Sequence, residues 1–550
     1  MSKLSVWYHL PFEFTGGAMP DAKIWREAQA QPSFSQRSYF HRFVSDVLWE
    51  QGELTRYEGK CRDVKLRATR IYRSKKEGDR PEGTEEWSDE ATTFHCTMPN
   101  MEMFLCAQTR SDAPRLGILV IELRLDQVED GDAPRKSSLA DVQNMLEWMR
   151  RSYPRWWNND VPGDALYSLQ IDGEKEPLIA PTKTQMEAAT GGRSLVMPWI
   201  SRLLKPFLDE KGQLSHFGDD RSYMTSAIAL DTSHAPPGLV MNAVHRGDMM
   251  RLAEADKAAF PGDETKPYTP EAYQRPFLDD LWEEVSYNRH AYDPKTDTGN
   301  ATQYLMTHHH LCMVGAGSYF ESDIFPHAGE YYRHMQFLCI HELFRLLQFS
   351  QRLSRHVRDC ADEGLARKVL LDIRRDFLRF THLHHFSNVS SQLQPREMFD
   401  KLYAAMGIEK LFEEVAAELE SATDFLAMQQ AEEDAKAAEK RDKLIAIGVP
   451  AALAVGVAGM NIWVGVEAPD VPFLGRDGDG DGAGPLPFFT ELYQSVVILV
   501  LVLAPSAWLA RKFLDKKDAD SWPLRHGLVW SFMLLLGLTI FAILNTPMGP

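Results

Sequence analysis

The chain has 550 residues, a formal charge of −18 at pH 7, and 44% hydrophobic against 25% charged residues. That length allows a large core and more than one structural unit. No basic stripe interleaved with aromatics offsets the acidic balance, which argues against nucleic acid as a partner and points to cations.

The start, MSKLSVWYHLPFEF, has no uninterrupted apolar stretch and no small-residue cleavage site. The sequence therefore predicts no cleaved signal peptide and a cytosolic N-terminal part. The six cysteines, Cys61, Cys96, Cys106, Cys312, Cys339 and Cys360, form no CxxC pair. They are expected to be reduced thiols and not a disulfide framework.

To about Tyr319, short β-rich runs alternate with helical ones, which predicts an α+β or α/β domain over residues 1–325. Arg115 to Asp126 reads as a strand, apolar at first and alternating later. Leu139 to Arg150 reads as a helix opened by Ser138-x-x-Asp141, which has the form of a capping box. Further strands are expected over Ser5 to Phe14, Lys65 to Tyr72, Thr93 to Ala107, Ala227 to Leu230 and His310 to Val314. The connections Glu77 to Glu90 and Phe260 to Pro276 are rich in proline, glycine and aspartate.

Three signals here fail on inspection, and no enzyme is expected. His341-Glu342 opens like HExxH, but Arg345 stands at the fifth position. Val314-Gly315-Ala316-Gly317 follows a strand, but Phe320 stands where a dinucleotide site needs glycine, so a turn is expected. His308, His309 and His310 precede a strand, where neighbours point to opposite faces and do not converge on one metal.

Residues 326–407 are predicted to be helical. Between Tyr331 and His384, apolar positions recur three and four apart (Phe337, Ile340, Phe344, Leu347). Gln394-Pro395 is expected to break the pattern, and Gly407 to separate a short helix from the next. From Ile408 a stalk helix is predicted, with Leu411, Val415, Leu419, Ala422 and Leu426 on one stripe.

The stalk leads into LIAIGVPAALAVGVAGMNIW, Leu444 to Trp463, which carries no charge. About 20 helical residues cross the roughly 30 Å core of a bilayer, so residues 408–464 are predicted to be a stalk that continues into a membrane span. Two further apolar runs, Leu492 to Ala510 and Leu528 to Leu544, predict a second span within 488–510 and a third within 527–550. Lys440, Arg441 and Lys443, and also Arg511, Lys512, Lys516 and Lys517, flank these runs. The positive-inside rule then makes 511–526 a cytoplasmic linker and 465–487 an external loop. The expected fold is an α+β or α/β cytosolic domain, a long helical stalk and an α-helical membrane domain with three spans. The expected localisation is multi-pass, in the plasma or inner membrane.

Gly459-Met460-Asn461 closes the first run, with Pro450 and Gly456 before it. In this tripeptide, its spacing and the succession of polar helix, span, acidic loop and span, the chain resembles the CorA superfamily of metal-ion transporters. The family's first membrane helix lines a pore and ends in GMN at the outer mouth. The resemblance implies a homo-oligomer of five subunits in a lipid bilayer, passing Mg²⁺ or a related divalent cation passively and gated by the cytosolic domain. Mg²⁺ sheds water reluctantly and takes oxygen ligands, so a ring of Asn461 amides would hold the hydrated ion. Without its context Asn461 would read as a helix C-cap.

The same alignment puts Ile445, Val449, Ala452 and Gly456 on the pore. Arg441 falls at the inner gate, where the family has an apolar residue. A ring of arginines opposes a cation unless the side chains turn outward to Asp442 or Glu439 of a neighbour. Ala452 stands where a threonine is common, and a third span is unusual for the family. In the external loop, Glu467, Asp470, Asp477, Asp479 and Asp481 would concentrate cations. DGDGDG begins like an EF-hand loop, but Phe488 occupies the position of the bidentate glutamate. The resemblance implies a regulatory Mg²⁺ position at Asp424 and a second near Asp400, although acidic residues on a solvated helix face are common. A Zn²⁺, Co²⁺ or Ni²⁺ carrier is the rival within transport, and the spans offer a soft metal no Cys or His. The rival of another class is a signalling or effector protein whose enlarged N-terminal domain senses a ligand or partner.

Overall fold

The computed structural model describes residues 1–459 apart from 75–85, 108–113, 151–156, 172–177, 180–192, 216–220, 257–274, 289–300, 360–362 and pieces of one to three residues elsewhere; residues 460–550 are outside it. The chain divides into two compact units, Met1–Ala422 and Thr423–Pro550. The expected domains 1–325 and 326–407 thus fall in one unit.

The first unit is built on a mixed sheet. Its principal strands are β1 (Lys3–Phe14), β2 (Leu54–Gly59), β3 (Arg62–Ser74), β4 (Glu86–Met98), β5 (Met101–Cys106), β6 (Arg115–Asp130), β7 (Leu166–Ile171), β8 (Tyr223–Leu230), β9 (Ala301–Met306) and β10 (His310–Ala316). The order across the sheet is β7-β3-β4-β6-β1-β8-β10-β9. Along this path the β8–β10 pair is parallel and the other pairs are antiparallel.

The long strand β6 makes the sheet fork. One edge pairs with β1 from Arg115 to Arg124, while the other pairs with β5 over Gly117 to Ile121 and with β4 over Arg124 to Asp130. The expected strand Thr93–Ala107 is therefore two strands, parted at Pro99-Asn100, and a register shift at His95/Cys96 lies within the β4–β6 pairing just before β4 ends. Gly117 faces Phe12 across the β1–β6 pair, and a Cβ there would lie 2.3 Å from the Phe12 ring. Pro11 sits in this central strand without disrupting it. It falls in the gap between the β8 pairing, which ends at His9, and a short pairing at Glu13.

Alternation along β1 gives the sheet two different faces. Leu4, Val6, Tyr8, Leu10, Phe12 and Phe14 join one apolar core with α1 (Leu139–Met149) and α2 (Arg246–Ala253). The opposite face carries Ser5, Trp7, His9 and Glu13 and is also buried, because α3 (Arg333–Asp359) packs across it. Helices on both faces of one sheet give a three-layer arrangement. At α1 the expected capping box forms: Asp141 N–H donates to Ser138 Oγ at 3.2 Å and Ser138 N–H to Asp141 Oδ2 at 2.7 Å.

α4 (Glu363–Leu383) packs on α3 through Phe377 and Phe380 against Phe349, at 5.4 and 5.5 Å between ring centres. α5 (Leu393–Ala405) contains the Gln394-Pro395 pair expected to break a helix. Pro395 lies in the first turn, where a backbone N–H has no intrahelical acceptor, so proline costs no bond there. Gly407 takes φ +66° and ends α5, as the separating glycine should. α6 then runs from Ile408 to Gly459 as one helix of 52 residues.

α6 overturns the expected membrane architecture. No helix among the described residues is long and apolar enough to cross a membrane. α6 is heavily charged up to Lys443, and Met460 to Trp463, the rest of the expected first span, lie outside the described residues. The three-span α-helical membrane domain, the transmembrane character and the multi-pass membrane localisation are therefore corrected to a mixed sheet with helices. The runs Leu492–Ala510 and Leu528–Leu544 lie outside the described residues.

Candidate functional site

At 3.6 residues per turn, Arg441, Ile445, Val449, Ala452, Gly456 and Gly459 fall within about 80° of one another around the axis of α6. Because the helix is unbroken to Gly459, they form one stripe. Ile445 and Val449 are 51% and 50% exposed, and Arg441 and Ala452 are exposed as well. Glu439, one carboxylate type expected to receive Arg441, pairs within the helix with Lys443 at 2.6 Å, and that hydrogen bond holds its carboxyl below the ordinary range.

Met460 and Asn461 lie outside the described residues, as do Glu467, Asp470, Asp477, Asp479 and Asp481. Asp424 is exposed on α6. Asp400 is exposed on α5; local burial raises its carboxyl pKa, with Arg396 opposing and Glu397 adding to the shift. The two aspartates belong to different units. Among the described residues no group of three His, Cys, Asp or Glu side chains is arranged to hold a metal. The four described cysteines, Cys96, Cys106, Cys312 and Cys339, are buried and form no disulfide.

Sequence reasoning missed the polar groups under and beside α3. Glu102 of β5 is buried between two arginines: Arg333 ion-pairs with its Oε2, and Arg56 lies 3.0 Å from its Oε1. Burial works to raise the Glu102 pKa, but the two guanidiniums outweigh it and hold the carboxyl below its ordinary value. Arg333 is itself fixed by donation from Nε to the Gly329 carbonyl at 2.6 Å. Beside it, Thr225 donates to Gln336, and His9 Nε2 lies 3.5 Å from the Thr225 hydroxyl. Burial, and then the charge of Arg333, pushes His9 down to about 3.

A second cluster clasps three helices together. Glu342 of α3 is fully buried, and its Oε1 accepts from the Tyr403 hydroxyl at 2.6 Å and from His385 Nδ1 at 2.5 Å. Burial, then the Glu342 charge, drives the Tyr403 hydroxyl pKa far up. The His385 ring stacks on Phe412 at 4.2 Å. His341, adjacent in sequence to Glu342, points to a different neighbour, the His384 ring at 5.0 Å, and burial keeps it neutral. The HExxH-like pair is thus divided between two contacts, with no shared ligand position. The signal that could have found the cluster was His382-Leu383-His384-His385 at the end of α4, read against His341-Glu342.

Of the three adjacent histidines, only His310 is fully buried. Its Nδ1–H donates to the carbonyls of Leu252 and Ala253 at the end of α2, at 2.9 and 3.2 Å, and its Nε2 accepts from Ser226 at 2.8 Å. Both ring nitrogens are occupied, which is a structural role. Gly317 turns with φ +96° after β10, and a Cβ on Gly315 would lie 2.0 Å from the Phe320 ring. The VGAG segment is therefore a packed turn. Compared with known proteins, the chain matches no family model, no curated protein and no solved structure.

Proposed function

We propose that the chain passes Mg²⁺ or a related divalent cation passively, in the manner of the CorA superfamily it resembles. The described helices do not carry this path across a membrane, and residues from Met460 onward would have to complete it. Five copies surround one axis, and the N-terminal unit gates the passage. The observation that carries the reading is the stripe on α6: Ile445, Val449, Ala452, Gly456 and Gly459 share one face of an unbroken helix that leads to the GMN tripeptide. Exposed apolar side chains at regular helical spacing call for a partner surface, and copies of the same helix supply one. At about 100 mV a divalent ion gains roughly 4.6 kcal/mol on entry, so passive flux needs no nucleotide. The reading draws on residues from Met460 onward only as sequence.

A second reading is favoured by Arg441, a cationic and exposed member of the same stripe. In it the N-terminal unit senses a ligand or partner, and flux is absent at rest. One experiment separates the two. The purified chain is reconstituted in liposomes with an entrapped Mg²⁺-sensitive dye and an inside-negative potential, and Asn461→Ala and Arg441→Ala are compared with wild type. Wild-type uptake that Asn461→Ala abolishes supports conduction through a GMN filter. Uptake seen only with Arg441→Ala makes Arg441 a gate. No uptake from any of the three, each verified as folded oligomers, rejects conduction.

A further inference from the structure

One face of α3 builds a cationic groove in the first unit. Arg345, Arg352 and Arg355 line it over about three turns of the helix, with Phe349 between them and Pro114 and Glu13 opposite. In a chain with a formal charge of −18, three guanidiniums within eleven residues form a local departure in sign.

Two of the guanidiniums are held in place. Arg345 lies over the Phe349 ring at 5.6 Å and donates to Gln348 Oε1 at 3.2 Å. Gln348 in turn donates to Glu13 at 3.0 Å, so a buried chain of polar groups orients Arg345. Arg352 lies over the same ring at 5.9 Å and is tied to the buried Asp376 at 3.0 Å. Arg355 is exposed on the next turn. A guanidinium carries five N–H donors in a planar fork, a geometry that matches the oxygens of a phosphate group.

We propose that this groove binds a small soluble phosphate monoester. The phosphate takes the three arginines. The Glu13 carboxylate, an acceptor on the opposite wall, selects for hydroxyl groups on the rest of the ligand, and Pro114 and Phe349 give its carbon skeleton an apolar surface. Two carboxylates, Glu13 and Asp376, partly offset the three positive charges, which suits one phosphate better than a polyphosphate. The proposal stands independently of cation flux, since every lining residue belongs to the first unit.

The test is calorimetric titration of the full chain with glycerol 3-phosphate, with glycerol as the uncharged control. Arg355→Gln and the double variant Arg345→Gln/Arg355→Gln are titrated beside it, after circular dichroism shows that each is folded. Arg42→Gln, at an arginine 92% exposed elsewhere, serves as the charge control. Saturable binding of glycerol 3-phosphate but not of glycerol is expected, weakened about tenfold by Arg355→Gln, abolished in the double variant and unchanged by Arg42→Gln. No binding up to about 10 mM, or equal binding by wild type and the double variant, overturns the proposal. A chain that binds vesicles containing phosphatidic acid but not glycerol 3-phosphate also overturns it, in favour of a lipid surface.

Discussion

The two faces of the central sheet are equally hidden from solvent and chemically unlike. Toward α1 and α2, β1 contributes only hydrophobic side chains, and their stabilisation comes from apolar area removed from water. Toward α3, the same strand contributes Trp7, His9 and Glu13, and the neighbouring strands add Glu102 and Thr225. Burial on that side is tolerable only because each charge is met: Glu102 by Arg333 and Arg56, Glu122 by Arg124 at 2.7 Å. The apolar face tolerates loss of shape poorly. The polar face tolerates loss of a partner poorly.

The largest expected effects compare these two failures directly. Phe12→Ala, at a fully buried ring over Gly117, should cost about 3–5 kcal/mol in urea unfolding. Glu102→Leu should cost a similar amount, about 3–5 kcal/mol, because Arg333 is left buried and unpaired. The faces separate in the rescue. Adding Arg333→Met to Glu102→Leu should restore most of the loss, since Arg56 keeps Glu58 at 2.8 Å, whereas no second substitution opposite Phe12→Ala removes its cavity so simply. A double variant no more stable than Glu102→Leu would show that the ion network is not what the polar face depends on.

A smaller effect probes tight packing on the same sheet. Gly315→Ala places a methyl group into the Phe320 ring and should cost about 1–3 kcal/mol, while the pair Gly315→Ala with Phe320→Leu should recover part of it. Equal unfolding midpoints for wild type and Gly315→Ala would mean that the ring moves away freely.

The gentlest probe is pH. His9 and His310 are neutral in the fold, with pKa values pushed down to about 3 and about 4 by burial, against 6.5 when unfolded. Below 6.5 the unfolded chain therefore binds protons that the folded chain refuses, so stability falls as pH drops. Each histidine contributes about 1.4 kcal/mol per pH unit, His310 down to about 4 and His9 down to about 3. His9→Gln and His310→Gln should each reduce the slope of unfolding free energy measured between pH 6 and about 4.5. A slope unchanged in both variants would place the acid sensitivity in other groups.

Much of the layout could be read directly from local sequence. The strands at β1, β3, β6 and β10, the α1 capping box, the helical pattern after Tyr331 and the turn at Gly407 all depend on periodicity, capping or glycine conformation within a few residues. The misreadings had physical causes too. Thr93–Ala107 reads as one strand on its apolar and β-branched content, which outweighs the turn signal of Pro99-Asn100 where the two strands part. Gln394-Pro395 looked like a break because proline is harmful inside a helix but harmless in its first turn. Leu444–Trp463 reads as a span on hydropathy, while no helix among the described residues is long and apolar enough to cross a membrane, and Met460–Trp463 lie outside them.

For the candidate sites the division is similar. From the sequence, the family resemblance put Ile445, Val449, Ala452 and Gly456 on one pore-facing side, and the unbroken helix α6 then adds Arg441 and Gly459 to the same face, because helix geometry converts spacing into a face. It could not bring Glu102 to Arg333, Glu342 to His385 and Tyr403, or Glu13 to Gln348 beside Arg345. Those partners stand 231, 43, 61 and 335 residues apart. Only the tertiary structure decided them, because a buried charge takes its meaning from whichever strand or helix packs against it, and no local pattern records that choice.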